Sequence, residues 1–264
     1  MQISGSKILL TGATGGLGQA IARALHGRGG ELVLTARRIE ILGPLAAELG
    51  GARTLAVDLS DPAAVDRLIA EAGEVNILVA NAGLPGTGRL ESFTMVEIDR
   101  ILDVNLRAPI ALASALLPGM LERGHGHLSF MGSLNSKAAT PQTAIYNATK
   151  FGLRGFALGL RADLHGSGVE VSSVFPGFIR EAGMFADSGV KLPPGVGTRS
   201  PEDVARAVIS AIERNRAEVD VAPLSLRLGS AIAGLAPELA ANFSRRMGAD
   251  RIASDLATGT APKR

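Results

Sequence analysis

The chain has 264 residues, 46% of them hydrophobic, a formal net charge of +2 and no cysteine. That length suits one large α/β domain or two small ones, and the missing Cys excludes disulfides, thiolate metal sites and thiol catalysis. The small cationic balance, with no Lys/Arg run longer than two residues, argues against a nucleic-acid surface.

Short apolar runs with strand character fall at 7–11, 32–36, 54–58, 77–81, 127–132, 170–175 and 218–222. Amphipathic segments near 17–28, 39–49, 62–73, 94–122, 143–166 and 202–214 separate them, and Asp61-Pro62 and Ser200-Pro201 are N-cap plus N1-proline helix starts. Nearly all-apolar strands, each followed by a helix, predict a parallel sheet covered on both faces. No repeat or composition shift marks a boundary. The expected fold is a single-domain, Rossmann-type doubly wound sheet of about seven strands. Its dinucleotide-binding catalytic part spans 1–223, an apolar helical extension of the same domain spans 224–253, and a frayed tail spans 254–264. The four His residues (His26, His125, His127, His165) show no metal-ligand spacing. With no signal-like segment and no apolar run approaching transmembrane length, the chain reads as a soluble, cytoplasmic protein.

After the first strand comes Thr11-Gly12-Ala13-Thr14-Gly15-Gly16-Leu17-Gly18. Gly12 permits a tight turn, Gly16 lets backbone approach a pyrophosphate, and Gly18 allows close helix–strand packing; the helix N-terminus then offers amides and positive dipole to phosphate. In this strand–loop–helix context the loop is a nucleotide site that includes Thr14 and Leu17. At the end of the second strand, where an acid would hold a ribose 2′-OH, the chain has Arg37-Arg38, which suits a 2′-phosphate. The expected cofactor is NADP(H) rather than NAD(H), with Arg37 the main contact and Arg38 its helper. Further on, Tyr146, the only tyrosine, stands four residues before Lys150 and thirteen after Ser133. Residues four apart share a helix face, so Lys150 can lower the phenol toward acid/base work. Taken alone, such a pair is also common on helix surfaces.

Together, Thr11-Gly12-x-x-x-Gly16-x-Gly18, Asn81-Ala82-Gly83, Ser133, Tyr146 and Lys150 resemble the classical short-chain dehydrogenase/reductase family from about residue 5 to about 222. The resemblance implies reversible hydride transfer between nicotinamide and a carbonyl or secondary alcohol. Tyr146 would pass the proton, Lys150 would lower its pKa and hold the ribose, and Ser133 would orient the carbonyl. Asn105 resembles the family's water-relay residue, the alternative being a helix-kink residue bonded to its own backbone. Asp58 and Leu59 resemble the adenine contacts, Asp58 being equally readable as a helix cap. Asn81-Ala82-Gly83 resembles the motif beside the ribose, and Pro176-Gly177 with Ile179 the turn that meets the carboxamide. Glu181 stands where that family commonly has Thr. The same resemblance makes 180–199 a substrate lid, with Met184, Phe185, Val190 and Leu192 lending it apolar character and Leu84 and Leu134 joining the pocket wall. It also implies a homodimer through the helices at 94–122 and 143–166, a tetramer being left open.

Leu224, Leu228, Ile232, Leu235, Leu239, Phe243 and Met247 form one helical stripe, broken at Pro237. The plain expectation is packing over the core or a subunit neighbour; the sharper ones are a cover for the substrate pocket or contact with a membrane surface through 224–247, with Arg227, Arg245 and Arg246 alongside. An apolar ketone or acyl-type substrate is expected. The competing reading is a cofactor-sensing or interaction protein with little turnover.

Overall fold

The computed structural model of the protein describes residues 1–192, 196–246 and 249–263. Seven parallel strands form one sheet in the order β3-β2-β1-β4-β5-β6-β7. They are β1 (Lys7–Thr11), β2 (Glu31–Ala36), β3 (Arg53–Ala56), β4 (Ile77–Ala80), β5 (Gly126–Met131), β6 (Val169–Pro176) and β7 (Glu218–Val221). The order reverses between β1 and β4, and the crevice there lies beyond the carboxyl ends of the strands, where open α/β sheets bind ligands.

The strands alternate their side chains between two apolar layers. On one face Leu10 and Leu34 pack with α1 (Gly16–His26), α2 (Ile39–Glu48) and α8 (Pro201–Glu213) through Ile21, Leu42 and Val208. On the other, Leu9 and Leu78 meet α3 (Pro62–Ala72), α5 (Ala108–Arg123) and α6 (Ala144–Asp163) through Leu68, Leu116 and Leu153. Helix starts follow the local chemistry: Asp61 accepts from the Ala63 amide, and Ser200 and Asp203 form a capping box.

Three features differ from the sequence expectation. The long helix expected at 94–122 is α4 (Met95–Leu102) and α5 joined by a π-helical segment at Asp103–Arg107, with Ala108 donating to the Asp103 carbonyl. Pro109 explains the break, since it has no N–H to give the Asn105 carbonyl one turn back. This helix, Met95–Arg123, is also long and apolar enough to cross a membrane by hydropathy, against the expectation of no such run, but it serves as a core helix whose Ala108, Leu112 and Leu116 are buried on the sheet. Finally, the chain from 254 onward, expected to fray, continues α11 (Ala249–Thr260), in which Ala253 and Thr260 are buried.

Between them lie α7 (Gly183–Ser188) in the lid segment, and α9 (Leu224–Leu235) and α10 (Pro237–Arg246) after β7. Leu224, Leu228, Ile232, Leu235 and Leu239 are all exposed, Leu235 at 89%. These five residues therefore do not pack into the core of their own chain; Ser230 is the one buried residue of α9, and Arg227 reaches Asp220 at 3.9 Å. The Phe243, Arg245 and Arg246 side chains and Met247 lie outside the described residues.

Candidate active site

At the reversal point the glycine loop is fixed by contacts to the end of β4. Thr11 Oγ1 accepts from the amides of Asn81 and Ala82 at 3.0 Å each, and Asn81 Nδ2 donates to the Thr11 and Gly12 carbonyls at 3.0 and 3.3 Å. Gly12 has φ +67, and a Cβ there would lie 2.8 Å from the Ala82 Cα; at Gly18 it would lie 2.2 Å from the Gly12 carbonyl oxygen. Both positions need glycine for backbone geometry and for close approach. The α1 N-terminus begins at Gly15 with no side-chain cap and no acid in its first turn, leaving its amides free to meet an anion.

Arg37 and Arg38 are exposed at the β2 end, where Arg38 Nη2 donates to the Thr14 carbonyl at 3.5 Å. Asp58 lies past β3 and accepts from the Ser60 amide and hydroxyl at 3.0 and 2.7 Å. Burial pushes its carboxyl up, but those hydrogen bonds and the charges of Arg37 and Arg100 hold it below the usual range. The helix-cap alternative for Asp58 fails, since Asp61 caps α3. Near it, the buried Thr35 hydroxyl lines the cavity without a protein partner.

On the other side of the crevice, Ser133 caps the 3-10 turn Leu134–Ser136, and its hydroxyl faces the Tyr146 phenol closely enough to oppose the rise of its pKa. Lys150, 3% exposed, donates to the Met131 carbonyl at 2.9 Å and holds its Nζ 5.7 Å from the Tyr146 ring centroid. Burial lowers the Lys150 ammonium to about 8. Burial also raises the phenol, and the Ser133 hydroxyl only partly opposes it. The expected lowering of Tyr146 by its lysine is therefore reversed in the protein alone: desolvation of the phenolate outweighs the help it receives.

Asn105 is fully buried, and its side chain bonds the backbone of Leu84 rather than that of its own helix. Its Oδ1 accepts from the Leu84 amide at 2.7 Å and its Nδ2 donates to the Leu84 carbonyl at 2.9 Å, joining the π-helical segment to the loop after β4. Ideal Cβ placement at Gly83 lies 3.5 Å from Asn105 Oδ1 and 3.7 Å from Lys150 Nζ, so these groups crowd one point behind Gly83.

Pro176, Gly177 and Ile179 lead from β6 into the lid. Ile179 is buried and bridges to Arg199, and the Arg180 amide donates to the Arg199 carbonyl at 2.9 Å, so the two ends of the lid are pinned together. Ala182 rests on the glycine loop, where a Cβ at Gly16 would come within 2.3 Å of the Ala182 Cβ. Glu181 has φ +72, is exposed and pairs with Arg180 at 2.8 Å, outside the cavity lining. Met184 and Phe185 line the cavity, as do Leu84 and Leu134, whereas Val190 and Leu192 do not.

These groups surround one cavity of about 1520 Å³ that runs from the glycine loop past Ser133, Tyr146 and Lys150 to the C-terminal helices. Leu226, Ile232, Leu239, Ile252 and Leu256 form its apolar far wall. The tail is tied to the site by Gln142 Nε2, which donates to Ser254 Oγ at 2.7 Å, and by Gly259, where a Cβ would meet the Ser188 carbonyl oxygen at 2.5 Å. The free helix N-terminus, the glycines that admit backbone approach and the unpartnered Thr35 hydroxyl fit a dinucleotide. Sequence reasoning missed Thr11 and Thr35 as site residues. Thr11 ends β1 and Thr35 stands one residue before the end of β2, positions that the strand ends alone could have signalled.

A short-chain dehydrogenase family profile matches residues 6–191. Similar proteins include the ketoacyl reductase HetN of Nostoc sp., 34% identical over 83% of this chain and 79% of that protein. Dehydrogenase/reductase SDR family member 7B of Xenopus laevis is 34% identical over 88% of this chain and 78% of its own. Among solved structures, a short-chain dehydrogenase from Sphingobium yanoikuyae in complex with NADPH superposes with TM-score 0.77 at 29% identity, covering 89% of this chain and 94% of that one. A metagenomic short-chain oxidoreductase in complex with NADP gives TM-score 0.69 at 32% identity, with 84% and 99% covered.

Proposed function

The chain belongs to the short-chain dehydrogenase family of oxidoreductases, and from that premise we propose that it is an NADP(H)-dependent enzyme reducing an apolar ketone or acyl-type carbonyl, or oxidising the matching secondary alcohol. The observation that carries this reading is the meeting of Ser133, Tyr146 and Lys150 on the wall of the cavity that begins at the glycine loop. Gly12, Thr14, Gly16, Leu17 and Gly18 would hold the pyrophosphate, Asn81, Ala82 and Gly83 the ribose side, Asp58 and Leu59 the adenine, and Pro176, Gly177 and Ile179 the nicotinamide end. Bound there, the cofactor supplies the hydride.

Ser133 donates a hydrogen bond to the substrate oxygen and stabilises the charge that develops on it. Tyr146 delivers the proton to that oxygen in reduction and removes it in oxidation. Burial keeps the phenol protonated in the protein alone, the form that reduction starts from, and makes it a weaker acid there. Lys150 keeps a positive charge beside the phenol and is fixed by the Met131 carbonyl. Asn105 holds the loop behind Gly83, and its main-chain carbonyl, without a donor at Pro109, is open to a water leading to Lys150.

Arg37 and Arg38, exposed and lining the cavity, support the 2′-phosphate preference, as do NADP(H)-bound relatives. The apolar far wall supports the apolar substrate. Leu121, Phe151 and Leu158, exposed on α5 and α6, support a homodimer through these helices, which sedimentation would check. The decisive experiment follows NADPH oxidation against a panel of carbonyls. Turnover is expected to fall about 10²- to 10⁴-fold in Tyr146→Phe. Full activity in that variant would overturn the assignment.

A further inference from the structure

On the edge strand β7, Val219 and Val221 face the core, while Glu218 and Asp220 point to the opposite side, beside Phe175 of β6. Glu218 there receives two cations from two different segments. Arg154 Nε and Nη2 donate to its two oxygens at 2.6 and 3.2 Å, and Lys137 Nζ approaches Oε2 at 3.0 Å. Asp220 binds the same ammonium at 2.7 Å. The Lys137 and Glu218 side chains are only 14% and 22% exposed.

The origin of these cations gives the cluster its meaning. Lys137 directly follows the 3-10 turn capped by Ser133. Arg154 stands on α6 one turn beyond Lys150 and two beyond Tyr146, so all three share a helix face. The turn is braced from its other end as well: Gly132 lies flat on Phe175, where a Cβ would come within 2.5 Å of the ring, and the Lys137 ammonium sits 4.3 Å from the centroid of that ring. A single carboxylate thus grips both the segment that carries the serine and the helix that carries the tyrosine. Bidentate Arg–carboxylate geometry fixes orientation as well as distance.

We propose that Glu218 is a positioning residue that sets the spacing of the Ser133 hydroxyl and the Tyr146 phenol by clamping Lys137 and Arg154 to β7. Its importance for turnover rests on the reductase reading above; the geometric claim does not. Burial opposes the Glu218 charge, but the hydrogen bonds from Arg154 and Lys137 hold the carboxyl below its usual range, so the clamp stays ionised around neutrality.

The single tyrosine makes the test direct, since protein labelled with ¹³Cζ-tyrosine gives one resonance, that of Tyr146. The spectrum is read without cofactor or substrate. Ser133→Ala, which removes the hydroxyl, sets the reference displacement. Glu218→Gln is expected to move the resonance toward that reference, and Lys137→Met, which cuts only the arm to the serine turn, to do the same. Glu170→Gln, which loosens the separate Arg161 pair at 3.6 Å, is expected to leave it in place. If Glu218→Gln does not fold, Lys137→Met decides the matter. A resonance unchanged from wild type in the folded clamp variants, or unmoved by Ser133→Ala itself, would overturn the proposal. In NADPH-dependent reduction, Glu218→Gln is expected to lower kcat about 10- to 100-fold with KM for NADPH nearly unchanged. Failure of the reductase reading would remove only this kinetic effect.

Discussion

Lys150 is held at a cost to stability that can be measured. Its folded-state pKa of about 8 lies below the ordinary 10.5 because burial disfavours the ammonium. The sign follows: stability is fully present above 10.5, and is lost as pH falls toward 8. The charged form then costs about 3 kcal/mol at pH 7 and about 2 kcal/mol at pH 9, from about 1.36 kcal/mol per pKa unit and the fraction ionised in each state. Lys150→Met removes this cost together with the 2.9 Å bond to the Met131 carbonyl, which offsets about 1.5–3 kcal/mol of the gain. The variant is therefore expected to be inactive as a reductase yet modestly more stable at pH 7. The cleaner quantity is the pH dependence, which is independent of that bond. Between pH 9 and pH 7 the wild type should lose about 1 kcal/mol relative to Lys150→Met, with Tyr146 protonated throughout. Urea unfolding of both proteins at the two pH values measures it. Parallel changes in the two proteins would refute the claim that Lys150 is strained by burial.

Three further outcomes are expected. His127, fully buried with Nε2 2.9 Å from Ser172 Oγ, has its pKa lowered by burial to about 3, so its contribution is present above 6.5 and lost as pH falls toward 3. Between pH 7 and 5 the wild type should lose about 2 kcal/mol more than His127→Gln in urea unfolding. Arg37→Asp should weaken NADPH binding about 10- to 100-fold by titration with little effect on NADH, and an equal loss of both would remove Arg37 from the phosphate site. Glu181→Gly should raise stability by about 1 kcal/mol in thermal unfolding, because Glu181 has φ +72 and its ion pair with Arg180 is exposed.

The sheet, its parallel order and most helix starts were legible from the sequence because they rest on short-range causes: apolar alternation, Asp61 and Ser200 caps, and glycines where Gly12 turns and Gly18 packs. The convergence of Ser133, Tyr146 and Lys150 was legible for the same reason, since helical spacing and strand order place them on one side of the crevice. What escaped the sequence depends on groups distant along the chain. The Tyr146 phenol rises rather than falls because of desolvation, which no local spacing records. Asn105 is held by Leu84 and Glu181 pairs with Arg180, while the stripe, left open between core packing and pocket cover, lines the cavity through Ile232 and Leu239 and leaves Leu224, Leu228 and Leu235 exposed. The sequence by itself determined which chemical groups the site contains and in what order the chain delivers them. Only the tertiary structure decided their environment, because burial and the grip of Glu218 on Lys137 and Arg154 arise when segments far apart in the chain are packed together.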